Sequence, residues 1–449
     1  MSSVDATAGI ALELDDIQAG ALFERPSPYV GSYLLLCIRD RDDGRELVRR
    51  LHRIVSAAAA VRTADETSLT VAFTYHGLEA LGVPQTSLES FAPEFRQGMA
   101  ARAEILGDIG DSAPEKWEEP LGGGDVHVAI AVLSSDEDRL NAVAEKARRA
   151  HAELPGIELI WRQDCYQLAT GRTSFGFKDG IGQPAVEGSG HAPTDSRERP
   201  LKAGEIILGY PDETGELPPT PTPEVLGRNG TYVVFRKLHT KVAAYRTYLR
   251  ARAASRAEED ILGAKMVGRW QSGAPLALTP DKDDPELGSD PHRNNDFSFG
   301  DDPRGLKCPV GAHARRANPR DALDAEGSVD VRLHRMIRRG TSYGPMLPDG
   351  VLEDDGIDRG IIFVFAGAHI KRQFEFVKTQ WLNDGIFIGT PAEKDPLVGP
   401  NDGSGVFTIP QRPIRRRLQG LPPFVVVRGG EYCFVPGLRA LRWLAELDT

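Results

Sequence analysis

The sequence predicts an α+β fold in which one β-α-β-β-α-β layout occurs twice along the chain. Three observations carry this expectation. Strand-like and helix-like periodicities alternate in the same order in both halves. Proline- and glycine-rich stretches at 187–200 (EGSGHAPTDSRERP) and 218–230 (PPTPTPEVLGRNG) separate the halves. The chain's 449 residues, 40% apolar and 27% charged, suffice for a substantial core without disulfide staples. Such units are ferredoxin-like, and they are expected at 10–200 and 225–449.

In the first half, Val30 to Ile38 reads as a buried strand. Gly44 to Val61 reads as a helix, with Leu47, Leu51, Ile54, Val55 and Ala58 on one stripe. Thr67 to Tyr75 is a second strand, followed by a helical insertion near Ala92 to Leu106. Asp125 to Leu133 alternates as a third strand, Ser135 to Leu154 is a polar-faced helix, and Ile157 to Trp161 is the fourth strand. In the second half, Thr231 to Leu238 is a strand and Val242 to Ala254 a helix. Ser328 to Arg338 and Gly360 to Phe365 are strands, and Gln373 to Leu382 is a helix with Phe374, Val377 and Trp381 aligned. Phe424 to Val427 and Glu431 to Val435 are expected to form a hairpin turning at Gly429-Gly430, before a final amphipathic helix from Leu438 to Leu447.

Charge and cysteine usage exclude several function classes. With 54 basic against 65 acidic side chains the net charge is −11, which disfavours a nucleic-acid scaffold. The run from Arg412 to Arg417 reads as a solvated face. No apolar run approaches the ~18–20 residues of a membrane span. The first residues lack a basic region, an apolar stretch and a twin arginine, so no export signal is expected. Cys37, Cys165, Cys308 and Cys433 are scattered, with no CxxC or CxxCH, which fits a reduced, cytoplasmic setting and excludes covalent c-type haem.

Three segments have the composition of a site. Phe175 to Pro184 (FGFKDGIGQP) places glycines at 176, 180 and 182, where the backbone can approach a bulky ligand, with Asp179 inside an apolar frame of Phe175, Phe177 and Ile181. Asp-Gly is also ordinary turn chemistry. Cys308 to Arg320 (CPVGAHARRANPR) places His313 among Gly311, Ala312 and Ala314, a small-residue face that admits a flat macrocycle. A histidine satisfied within a short connector is the plainer reading. Arg335 to Gly344 (RMIRRGTSYG) ends a strand whose polar face carries Arg332, His334, Met336 and Arg338, a pattern equally shown by an exposed basic edge. No HExxH, zinc-spaced Cys/His cluster, GxSxG elbow or complete phosphate-binding loop is present.

In combination and in this order, the segments resemble the dye-decolourising peroxidases. The family's GxxDG element matches Gly176 to Gly180, its proximal-histidine segment resembles CPVGAHARRANPR, and its distal-arginine segment resembles IRRGTSYG. Further similar runs are Asp16 to Gly20 (DIQAG), 204–215 (GEIILGYPDETG), 229–238 (NGTYVVFRKL) and 374–385 (FEFVKTQWLNDG), so the resemblance spans essentially the whole chain. The length resembles the longer cytoplasmic branches of the family, and no encapsulating-shell targeting tail is expected after the last helix.

The resemblance implies a peroxidase that reduces hydrogen peroxide while oxidising bulky organic donors such as dyes and phenolics by one-electron steps. It implies one non-covalent b-type haem per chain, held mainly by the C-terminal unit. His313 is then the proximal iron ligand, with Phe177, Gly180, Ile181, Gly182 and Arg338 around the cofactor. Asp179 is the proton carrier and Arg338 the charge-stabilising donor. Glu375 or Asp384 is expected to support His313, the sequence leaving the choice between them open. Trp381, Trp270 and Tyr343 are candidate electron relays. The alternative is a haem-binding or haem-handling protein of the same fold with little turnover, which would need neither Asp179 nor Arg338. Neither a nucleic-acid nor a membrane partner is expected, and homo-oligomerisation is left open.

Overall fold

The computed structural model describes residues 11–23, 25–61, 67–193, 196–323 and 330–447. Eight strands form one antiparallel sheet, named here in chain order: β1 (Val30–Ile38), β2 (Ser68–Phe73), β3 (Val128–Ser134), β4 (Ile157–Tyr166), β5 (Thr231–Thr240), β6 (Ile337–Tyr343), β7 (Gly360–Gly367) and, after a separate two-stranded ribbon of β8 (Gly405–Ile409) and β9 (Arg416–Leu421), β10 (Val425–Val435). The order across the sheet is β4-β1-β3-β2-β10-β5-β7-β6. Each half thus runs fourth-first-third-second, the ferredoxin-like order, and the duplication read from the sequence is present in the topology.

The halves join where Phe73 of β2 pairs Phe434 of β10. At the far ends β4 lies beside β6, so the sheet curls toward closure. There the Tyr33 and Thr341 hydroxyls meet at 3.1 Å, and the Ser342 N–H donates to the Tyr29 hydroxyl at 2.6 Å. Curling buries one face as a barrel interior containing Tyr33, Leu35, Trp161, Phe235 and Ile362. The other face packs under helices, as strand alternation requires.

Local chemistry explains the first-half helices. Asp40 caps the Arg41–His52 helix by accepting from the N–H groups of Asp42 and Asp43, and Leu47, Val48 and Leu51 pack against the sheet. Asp136 caps the Glu137–Ala152 helix in the same way, through Arg139 N–H. The final helix, Leu438–Ala445, packs on Arg41–His52 and so returns the chain's end to its first half.

Three expectations are corrected. Phe424 to Val435 is no hairpin: β10 runs unbroken alongside β5, and Gly429, at φ 143°, takes up a bulge after Val427. The pairing of both segments with β5 is worth more than a local turn. The strand expected from Ser328 begins only at Ile337, because Val331–His334 winds into a 3₁₀ turn; Ser328 and Val329 lie outside the described residues. The helix expected over 44–61 ends at His52, so Ile54, Val55 and Ala58 are not on its stripe. The Arg256–Val267 helix, capped by Ser255, and the β8-β9 ribbon had no counterpart in the sequence reading.

Candidate active site

A cavity of about 880 Å³ lies between the outer face of β5, β6 and β7 and the segments 107–112, 178–183, 313–320, 374–382 and 394–402. Its walls are largely apolar: Leu238, Ile361, Phe363, Phe374, Val377 and Leu382.

His313 opens the short helix His313–Ala317, just after Ala312. Two buried arginines on that helix fix it in place. Arg316 donates to the carbonyls of Gly311, Trp381, Asp384 and Glu393, and Arg315 to those of Cys308 and Asp302. With the helix held by these neighbours, His313 faces the cavity, a third of its side-chain surface open to it. Its Nδ1 lies 2.9 Å from Oδ2 of Asp395, a fully buried carboxylate whose Oδ1 accepts from the N–H groups of Leu397 and Val398. A carboxylate only accepts, so Nδ1 carries the proton and the Nε2 lone pair is left for another partner. Burial would push the imidazole down, but the Asp395 charge and hydrogen bond outweigh it and hold His313 above its ordinary value. Burial likewise opposes ionisation of Asp395, yet His313, the Val398 N–H and the Arg316 charge keep its carboxyl below the usual range.

The supporting carboxylate is therefore Asp395, neither Glu375 nor Asp384. Glu375 is turned away from the cavity into a bidentate pair with Arg102 and a hydrogen bond from the Tyr432 hydroxyl. The helical segment Ile370–Leu382 is wound with π-type turns, and it is Phe374, Val377, Lys378 and Leu382 that reach the cavity. The Asp384 side chain accepts from Ile386 N–H and caps a turn.

Asp179 lies on the opposite wall, in the loop from Lys178 to Gln183. Gly180 and Gly182 have φ of 82° and 80°, which keeps this loop tight against the cavity. Gly340 of β6 makes room for the carboxylate: a Cβ there would lie 2.8 Å from Asp179 Oδ2. Strand alternation turns Met336, Arg338 and Gly340 to the cavity and Arg339 to the barrel interior, where it donates to the Gly20 carbonyl. Arg338 is held by its own N–H to the Gln183 side chain (3.0 Å) and by its guanidinium to the Gly182 carbonyl (3.4 Å). Burial, reinforced by neighbouring Arg335, pulls Arg338 down to about 10, still protonated at neutral pH. Asp179, Arg338 and His313 thus line one cavity.

Phe177 does not line this cavity; it packs behind the loop with Tyr245, Leu249 and Leu262 and serves the site by supporting its backbone. Trp270, Tyr343 and Trp381 are all buried.

A family model described as the DyP dimeric alpha+beta barrel domain matches residues 43–154. A dye-decolorizing peroxidase of Mycetinis scorodonius is 32% identical over 412 residues, 85% of this chain and 77% of that protein. The chain belongs to the dye-decolourising peroxidase family. A multifunctional dye peroxidase of an Amycolatopsis species is 28% identical over an alignment covering 99% of this chain and 98% of that one. Among solved structures, a dye-decolorizing peroxidase in complex with 2,6-dimethoxyphenol has a TM-score of 0.82 at 27% identity, covering 97% of this chain and all of that one.

Membership of the family implies haem, and the residues present fit one. His313 lines the cavity with its Nδ1 engaged by Asp395, which leaves Nε2 as the nitrogen that would hold an iron, the walls suit a flat apolar macrocycle, and basic side chains lie among the lining. The Arg269 guanidinium bonds to the Gly273 and Asn294 carbonyls and the Asn295 side chain, and Arg320, also in the lining, bonds to the same Asn295 side chain. Burial pulls Arg269 down to about 9, a cost that the acidic arms of a macrocycle would relieve.

Proposed function

We propose that this peroxidase holds one non-covalent b-type haem per chain through His313 and reduces hydrogen peroxide at the face lined by Asp179 and Arg338. One-electron oxidation of organic donors, phenolics and dyes, completes the cycle. The convergence of the His313–Asp395 pair, Asp179 and Arg338 on a single cavity carries this reading. The bound haem supplies the redox-active iron.

This chain's own residues supply the rest. Asp395 holds the His313 Nδ1 proton, which fixes the tautomer and raises the basicity of Nε2. The Asp179 carboxylate takes the proton from one peroxide oxygen and returns it to the other, so that water leaves in place of hydroxide. Arg338, fixed by Gln183 and Gly182, stabilises negative charge on the departing oxygen without titrating itself. Ile361 and Phe363 keep the pocket apolar, which strengthens both effects.

The haem-loaded protein mixed with peroxide tests this. Asp179→Asn, which keeps shape but cannot ionise, is expected to retain the Soret band and lose most of the peroxide-driven spectral change. A variant that reacts like wild type removes Asp179 from the mechanism. The division into units at 10–200 and 225–449 is supported by the repeated strand order. A cytoplasmic setting is supported by four buried, unpaired thiols; no helix among the described residues is long and apolar enough to cross a membrane.

A further inference from the structure

Asp179 has a partner outside the motifs described so far. Arg25 belongs to the segment preceding β1, far from the catalytic loop in sequence. Its Nη2 lies 3.6 Å from Asp179 Oδ2, with only 13% of its side chain exposed. The guanidinium is fixed from two further directions. Its Nε donates to the Gly340 carbonyl at 2.7 Å, and its plane sits 4.2 Å from the centroid of the Tyr29 ring. Tyr29 is anchored in turn by accepting the Ser342 N–H, so both supports of Arg25 rest on β6, the strand that carries Arg338.

The consequence is a fixed charge beside Asp179 on a residue that does not itself line the catalytic cavity. Gly340 bounds the carboxylate where a Cβ would collide with Oδ2, and a Cβ on Gly180 would approach Arg25 Nη2 at 3.5 Å. Arg338 and His313 also line this cavity, and both are held by bonds of their own. Asp179 itself lies on a glycine-rich loop with 42% of its side chain exposed, and among the described residues Arg25 ion-pairs with it.

We propose that Arg25 is a positioning residue that orients the Asp179 carboxylate for proton transfer. This rests on the reading of Asp179 as the proton carrier. A carboxylate free to swing by ~1 Å would lose up to ~100-fold in rate, which sets the scale of the expected effect. Arg25 touches neither cofactor nor substrate in this account; it acts through Asp179.

The test uses the haem-loaded full chain and a readout independent of turnover. Hydrogen cyanide enters neutral and must give its proton to a distal base before the anion binds, and the Soret shift reports that event. Arg25→Gln keeps a donor for the Gly340 carbonyl but removes the charge. It is expected to leave haem content intact and to slow both cyanide association and the peroxide-driven spectral change by about 10- to 100-fold. The affinity for the organic donor is expected to stay unchanged, and Arg25→Lys to recover most of both rates. Wild-type rates in Arg25→Gln overturn the proposal, as does a failure of Arg25→Lys to improve on it. Asp179→Asn run in parallel separates the two levels. If it too associates with cyanide normally, the reading of Asp179 falls; if only Arg25→Gln is normal, the positioning role alone falls.

Discussion

Asp395→Asn is the substitution for which the structure dictates the outcome most closely. In the native chain Oδ1 of Asp395 accepts two backbone N–H groups, from Leu397 and Val398 at 2.9 Å each, and Oδ2 accepts the His313 Nδ1 proton. Asparagine has one oxygen for these three donors. If that oxygen stays with the backbone, the amide NH₂ faces Nδ1 and forces it to become an acceptor. The ring proton then moves to Nε2, and the lone pair needed for iron is lost. If the amide flips, the NH₂ meets two N–H groups in a fully buried site, leaving those donors unsatisfied. Either way a charge-assisted hydrogen bond worth ~1.5–3 kcal/mol is lost. That range corresponds to about 10- to 100-fold in affinity, the scale typical for a residue supporting a metal ligand. Haem titration of the apoprotein, followed at the Soret band, measures it. An Asp395→Asn variant that binds haem with native affinity would refute the tautomer argument, because the geometry leaves no third arrangement.

Other outcomes follow from the same geometry. His313→Ala is expected to lose stable haem loading, read as the absorbance of the purified protein after reconstitution. Arg338→Leu is expected to keep haem but slow the peroxide-driven spectral change by ~10²–10³, the usual cost of a lost charge-stabilising donor, whereas Arg339→Leu, on the barrel-interior face, changes it little; stopped-flow mixing distinguishes the two, and a slow Arg339 variant would reverse the assignment. Glu431 is a buried carboxyl pushed up to about 8 by desolvation, with a hydrogen bond from Gly122 N–H. Its folded value exceeds the unfolded one, so its contribution is complete below the unfolded pKa and is lost as pH rises toward 8. At ~1.36 kcal/mol per pH unit this amounts to a few kcal/mol; denaturant unfolding at pH 5 and pH 8 is expected to show the slope in the native chain and a flatter profile in Glu431→Gln.

The site was legible in the sequence where its chemistry is local. The small residues around His313, the glycines flanking Asp179 and the alternation that separates Arg338 from Arg339 are all properties of neighbours along the chain, and the structure keeps each of them. The repeated strand and helix periods gave the duplicated topology for the same reason, since a period of two or 3.6 is set by one element's own buried face. What failed depends on partners distant in sequence. Asp395 lies 82 residues beyond His313, in a loop with no period, and only folding decides which carboxylate meets Nδ1. Glu375 looked equivalent until folding paired it with Arg102, 273 residues away in sequence. Phe177 carried the right apolar character but the wrong direction, packing behind the loop it supports. Gly429-Gly430 has the composition of a turn, and pairing with β5 made it a bulge instead. The sequence by itself determined which residue types could bind and transfer protons; the tertiary structure decided which of them face one another, because facing is a relation between elements and not a property of either alone.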